Sequence, residues 1–92
     1  MDIRQKIEYY YGETEVVIFA DGWDSCIIGF DPNTWSVVYS RTRVIDLIIE
    51  ENDATHDEAV EYAEYHVFGA MLSAKTPIWI EDFDWENINL YK

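Results

Sequence analysis

Between Val44 and Ala74 the chain carries eight carboxylates, Asp46, Glu50, Glu51, Asp53, Asp57, Glu58, Glu61 and Glu64, and no Lys or Arg. Whatever this stretch becomes, one side of it must stay in water. Apolar residues are interleaved with the acids at helical spacing, so two amphipathic helices satisfy both demands. In the first, Val44, Ile45, Leu47, Ile48 and Ile49 leave only a narrow polar side at Arg43, Asp46 and Glu50, which predicts a deeply buried helix. Asn52-Asp53-Ala54 breaks the run. Thr55 then opens a capping box with Glu58, and the second helix is expected from His56 to about Leu72.

The residues before this stretch follow a different rhythm. Asp2 is placed to cap a short helix that Gly12 ends, with Ile3, Ile7 and Tyr10 facing a sheet. Glu15–Ala20, Ser25–Phe30 and Trp35–Ser40 are β-rich runs separated by Asp21-Gly22 and by Asp31-Pro32-Asn33-Thr34, both turn formers. Gly29 inside the second run marks a bulge or a close backbone approach. Ile78–Ile80 reads as a further strand, and the tail from Glu81 alternates acids with Phe83, Trp85, Ile88 and Leu90. The expected fold is α+β: a small antiparallel β-sheet, a three-strand meander plus a C-terminal strand, packed against two or three helices. Residues 1–92 are expected to form one domain.

Nineteen acidic residues face six basic ones, a formal charge of −13. Such a surface repels itself, and it also repels nucleic acid and anionic lipid. A basic protein partner is the complement. Aromatic residues make up 16% of the chain, too many for a disordered acidic tail. The single cysteine, Cys26, permits no intramolecular disulfide, and the N-terminal segment lacks the long apolar run of a signal peptide. The cytoplasm is the expected compartment, with no membrane association.

On a helical wheel the second helix gathers Ala59, Val60, Ala63, Val67, Ala70, Met71 and Ala74 on a core side. The opposite side carries Asp57, Glu61, Glu64, Tyr65 and Phe68, with the carboxylates spaced about 6 Å and 4.5 Å along the axis. His66 falls at the border and is expected to be half-buried. The tail repeats the combination of acids and rings at Asp82, Asp84 and Trp85. A solvated acidic helix face explains the charges alone. A protein-binding strip also explains the aromatics beside them, because rings anchor interfaces. Asp57, Glu61, Glu64, Tyr65, Phe68, Asp82, Asp84 and Trp85 are therefore the candidate partner-binding residues. The loop at Asp21, Trp23 and Asp24 is a further candidate, with Trp23 folded onto the core as its simpler reading. No zinc spacing, Ca²⁺ loop or phosphate-cradling Gly loop occurs, so no metal, cofactor or catalytic residue is assigned. Cys26, His56 and His66 form no recognisable catalytic constellation.

The ordered set Asp21-Gly22-Trp23-Asp24, Ile27-Ile28-Gly29, Val37-Val38-Tyr39, Thr55-His56-Asp57-Glu58-Ala59-Val60-Glu61-Tyr62, Gly69-Ala70 and Thr76-Pro77-Ile78 resembles a group of small bacteriophage proteins of no assigned activity. The resemblance implies a viral origin and life inside a host cell, and it transfers no functional residue. Together with the charge, it leads to the expectation of a phage protein that binds and inhibits a basic, nucleic-acid-handling host defence protein or nucleoprotein complex. An anti-CRISPR that blocks or mimics nucleic acid is the foremost case. The alternative is a non-catalytic self-assembling or adaptor module, a possible homo-oligomer, whose acidity serves solubility.

Overall fold

A computed structural model describes residues 2–69 and 76–82 of the chain. Helix α1 spans Ile3–Tyr11. The Asp2 side chain accepts from the Gln5 backbone N–H at 2.8 Å, and the Gln5 side chain accepts from the Asp2 N–H at 3.0 Å. This reciprocal pair satisfies two donors that the first turn would otherwise leave open. Gly12 ends the helix, and a Cβ there would stand 2.6 Å from the Glu8 carbonyl oxygen, so only glycine fits. Ile7 is buried as expected. Tyr10 is not: it is 71% exposed, and Tyr11 takes the inward place. Ile3 is itself exposed, so Ile7 alone marks the buried side, and at 100° per residue Tyr11 lies about 40° from Ile7 and Tyr10 about 60°. The Tyr11 ring stacks on Phe30 at 4.2 Å and meets Trp35 edge-on at 5.4 Å.

Strands β1 (Ile27–Asp31) and β2 (Ser36–Ser40) form an antiparallel hairpin. The register moves from Ile27↔Tyr39 to Gly29↔Val38, so Ile28 is the extra residue of a bulge, next to the glycine that signalled it. The first part of the expected Ser25–Phe30 strand winds instead into a single 3-10 turn at Asp24–Cys26. In the hairpin loop the Asp31 carboxylate accepts from the Asn33 N–H at 2.9 Å. Trp35 closes the loop with φ 58° rather than starting β2. A bulky residue in the left-handed region costs about 1–2 kcal/mol. Contacts of its ring with Tyr11 and Phe30 oppose that cost.

Strand β3 (Ile78–Ile80) lies beside β2 in the order β1-β2-β3 and runs parallel to it, Val38 facing Ile78 and Ser40 facing Ile80. The sheet is thus mixed, not antiparallel throughout, and the expected meander is reduced to one hairpin. Glu15–Ala20 joins no ladder among the described residues. Two helices between β2 and β3 carry the chain back across the sheet, and such a crossover makes neighbouring strands parallel. Three helices and one small sheet make the fold α+β.

Helix α2 spans Arg41–Asn52 and buries Val44 and Ile48 fully, with Ile45, Leu47 and Ile49 partly covered. Asp53 closes it in the left-handed conformation at φ 52°, and Ala54 N–H returns to the Ile49 carbonyl. Helix α3 begins at His56 under the Thr55/Glu58 capping box, with bonds of 3.0 and 3.2 Å. It stays α-helical only to Ala63, then widens into a π turn at Glu64–Phe68, so the uniform helix expected to Leu72 does not form. Ala59 and Ala63 are fully buried, and their small side chains let α3 lie close to α2. Ala70, Met71, Leu72 and Ala74 lie outside the described residues. At the centre Tyr39, fully buried, stacks on Trp79 at 4.6 Å and accepts from the Ala20 N–H at 2.7 Å. Among the described residues no helix is long and apolar enough to cross a membrane.

Candidate protein-binding surface

The outward side of α3 begins with carboxylates that no described residue holds at short range. Asp57 is fully exposed, with only a 3.9 Å approach to its neighbour His56, and Glu61 is exposed one turn later. Glu64 is 62% exposed at its side chain. Tyr65 is 84% exposed, far more than a ring of that size needs to be. Two residues missing from the expected set join it. Tyr62 is half in water, and His66 is exposed rather than half-buried. The His66 ring lies 4.7 Å from Tyr62 and 5.6 Å from Tyr65. With Glu58 and Glu61 these three rings line a shallow depression of about 370 Å³. The signal for Tyr62 was available in its spacing, three residues before Tyr65 and four before His66, which puts all three on one side of a helix.

Phe68 departs from the expectation of an exposed anchor. It is half-buried, its ring 5.3 Å from Trp79 and capped by the Arg41 guanidinium at 4.2 Å. A π turn advances each residue through a smaller angle than an α turn, so Phe68 arrives against β3 instead of beside Tyr65. Arg41 also draws in acids from two elements, Glu64 at 3.8 Å and Glu81 at 3.9 Å. A second depression, about 350 Å³, is lined by Arg41, Thr42, Ile45, Asp46, His56, Val60, Glu64 and Glu81. Glu64, at the start of the π turn, and Glu81, after β3, therefore meet on one flank, joined through Arg41.

Asp82 is not a free surface acid. It accepts a hydrogen bond from Ser40 Oγ, and that same oxygen accepts from the Arg43 N–H at 3.1 Å. Ser40 is the N-cap of α2, so Asp82 places a negative charge at the end of the helix where the backbone dipole is positive. Asp84 and Trp85 lie outside the described residues.

The Glu58 carboxyl is held below the usual carboxylate range, first by the Thr55 backbone N–H and then by the Thr55 hydroxyl. Its charge belongs to the cap as much as to the surface. Trp23 is half-buried against the core, as the simpler reading of that loop had it, and lines one depression with His66. Arg4 gathers Glu8, Asp21 and Asp24 at 3.5–3.7 Å and lies over the Phe19 ring at 4.4 Å. Cys26 is fully buried, and burial pushes its thiol up, away from the reactive thiolate. Among the described residues no three His, Cys, Asp or Glu side chains group as a metal site.

No protein-family model, curated protein or solved structure matches this chain.

Proposed function

We propose that the chain is a phage-encoded binding protein that acts in the host cytoplasm by occupying the cationic groove of a nucleic-acid-handling defence protein. A CRISPR effector is the foremost target, because its guide and DNA channels are long and basic. The observation that carries this reading is the outer side of α3, where Asp57 and Glu61 stand on the side of the exposed rings of Tyr62, Tyr65 and His66, with Glu64, drawn toward Arg41, at its edge. The carboxylates take the place of phosphates opposite Lys and Arg, and the rings supply the contact area that carbon-poor acids lack. A formal charge of −13 steers such an encounter over long distance. The protein works by occupancy, without catalysis.

The test is direct binding to a purified, guide-loaded CRISPR effector, with target DNA as competitor. Affinity should fall about tenfold or more between 50 and 300 mM salt, as for a ligand that replaces several phosphates. Asp57→Lys with Glu61→Lys should abolish competition with DNA while leaving the fold intact. Binding that ignores both salt and these substitutions would sink the proposal. The exposure of Tyr65 favours a second reading, an adaptor or self-assembling module whose acids serve only solubility. In that case Tyr65→Ala disrupts association and the charge reversals leave it unchanged.

A further inference from the structure

One side of α1 is turned to water and carries two aromatic rings. Tyr9 is 68% exposed and Tyr10 is 71% exposed, and the rings meet edge to face at 5.2 Å. Ile3 is exposed at 39%, and Lys6 is exposed as well. At 100° per residue Tyr9, Lys6, Tyr10 and Ile3 share one arc of about 120°. Arg4 lies on the far side of the helix, where its guanidinium approaches Asp21 and Asp24. Past Tyr11 the chain keeps a helical path for nearly a turn. Gly12 is in the right-handed helical region, and the Thr14 and Glu15 N–H groups donate to the Tyr11 carbonyl at 3.2 and 3.5 Å. Glu13 therefore falls in the same arc, between Lys6 and Tyr9, and it too is exposed.

Charge and register select what this side fits. From Asp2 to Thr14 three acids, Asp2, Glu8 and Glu13, face two bases, Arg4 and Lys6, so the stretch is nearly neutral in a chain of −13. Two copies can meet here without setting acid against acid. Lys6 precedes Tyr9 by three residues, and Glu13 follows Tyr10 by three. A two-fold axis between Tyr9 and Tyr10, with the two α1 helices antiparallel, therefore does two things. It sets Tyr9 level with Tyr10 of the second copy, and Lys6 level with Glu13 of the second copy, each contact made twice. We propose that the protein pairs with itself through this side of α1, the four rings stacked at the centre and a Lys6–Glu13 ion pair at either end. A fully exposed Tyr offers about 200 Å², so the two rings leave roughly 280 Å² uncovered on each copy. With Ile3 and the Lys6 stem, the pair would bury roughly 800–1,000 Å² in all, the size of a weak and reversible association. The interface is separate from the α3 surface and does not depend on it.

The experiment is sedimentation equilibrium of the full chain in about 0.15 M salt, where charges beyond roughly 8 Å are screened. Between about 5 μM and 1 mM the mass should rise from that of one chain toward that of two, with a dissociation constant of about 10–500 μM. Tyr9→Ser with Tyr10→Ser should weaken the dimer by about tenfold or more and leave the melting temperature unchanged. Lys6→Glu alone, or Glu13→Lys alone, sets like charges at both ends of the interface and should weaken self-association by about fivefold or more. An equimolar mixture of those two single variants sets opposite charges at both ends, so it should recover the dimer to within about twofold of the unaltered chain. Each of the two moves charge in the direction that the helix dipole favours, which protects the fold of the tested proteins. Three results would overturn the proposal. One is a single-chain mass up to 1 mM. Another is association that survives the Tyr9 and Tyr10 substitutions. The third is a mixture of the charge variants no tighter than either alone. Tyr65→Ala, and Asp57→Lys with Glu61→Lys, should leave the dimer intact, and its loss in either would move the interface to α3 and end the proposal. A chain that stays single and still competes with DNA for an effector ends this inference and leaves the proposed function standing.

Discussion

Two groups of acids in this protein differ in what surrounds them, although nothing in their residue type distinguishes them. Around the N-terminus of α2, Asp82 is bound by Ser40, and Glu64 and Glu81 converge on Arg41. On the outer side of α3, among the described residues, Asp57 has no ion pair beyond a 3.9 Å approach to His56, and Glu61 shares a depression with exposed rings. The first group secures a junction between helix, strand and chain end. The second makes no such junction among the described residues, and it is the group that the proposed function uses. A net charge therefore measures supply, and the neighbours of each carboxylate decide its use.

The comparison breaks if the two groups respond alike to substitution. The largest effect is expected at Ser40, which is fully buried and makes both bonds of the cap. Ser40→Ala should destabilise by about 2 kcal/mol, the upper range for loss of an N-cap, because the Asp82 partner is orphaned as well. In a domain of this size that lowers the melting temperature by roughly 8–16 °C. Arg41→Ala removes a guanidinium from the Phe68 ring and two long ion pairs. Mostly through the ring contact, it should cost about 1 kcal/mol, with Arg41→Lys recovering only part in a denaturant titration.

Thr55→Ala should cost roughly 1 kcal/mol through the cap of α3. Glu58 adds a pH signature to that cap. Its carboxyl is depressed in the folded state, so its contribution is present above its unfolded value and is lost as pH falls through the lower folded value. Stability curves measured from neutral pH down into the acid range should therefore be flatter for Glu58→Gln than for the unaltered chain. The smallest effect belongs to Glu61→Gln. It should change stability by less than about 0.5 kcal/mol while weakening a cationic partner, and a larger loss of stability would place Glu61 with the first group.

Much of the local structure was legible in the sequence because its causes are local. The Asp2 and Thr55 caps, the stop at Gly12, the bulge beside Gly29 and the span of β3 depend on residues within a few positions of each other. The direction of β3 was not, since it is decided by where two intervening helices deliver the chain. EVVIFA has the composition of a strand, yet a ladder needs a neighbour, and composition does not supply one. Phe68 was misplaced because the wheel assumed one angle per residue through a helix that changes pitch at Glu64. The roles of Arg41 and Asp82 rest on contacts between residues far apart in sequence. The acidic face of α3 was visible from spacing alone, and Tyr62 and His66 belonged to it by the same spacing.

Ser40 and Asp82 are 42 positions apart, and this has a consequence in time. At the usual pace of translation, Ser40 leaves the ribosome roughly 2–8 s before Asp82 does. For that interval the hairpin and α2 exist without the carboxylate that completes the helix cap, and β2 waits with one side unpaired. Strand β3 and the two residues after it supply both. A nascent chain halted before Ile78 carries all the described helices and still lacks the piece that locks sheet to helix.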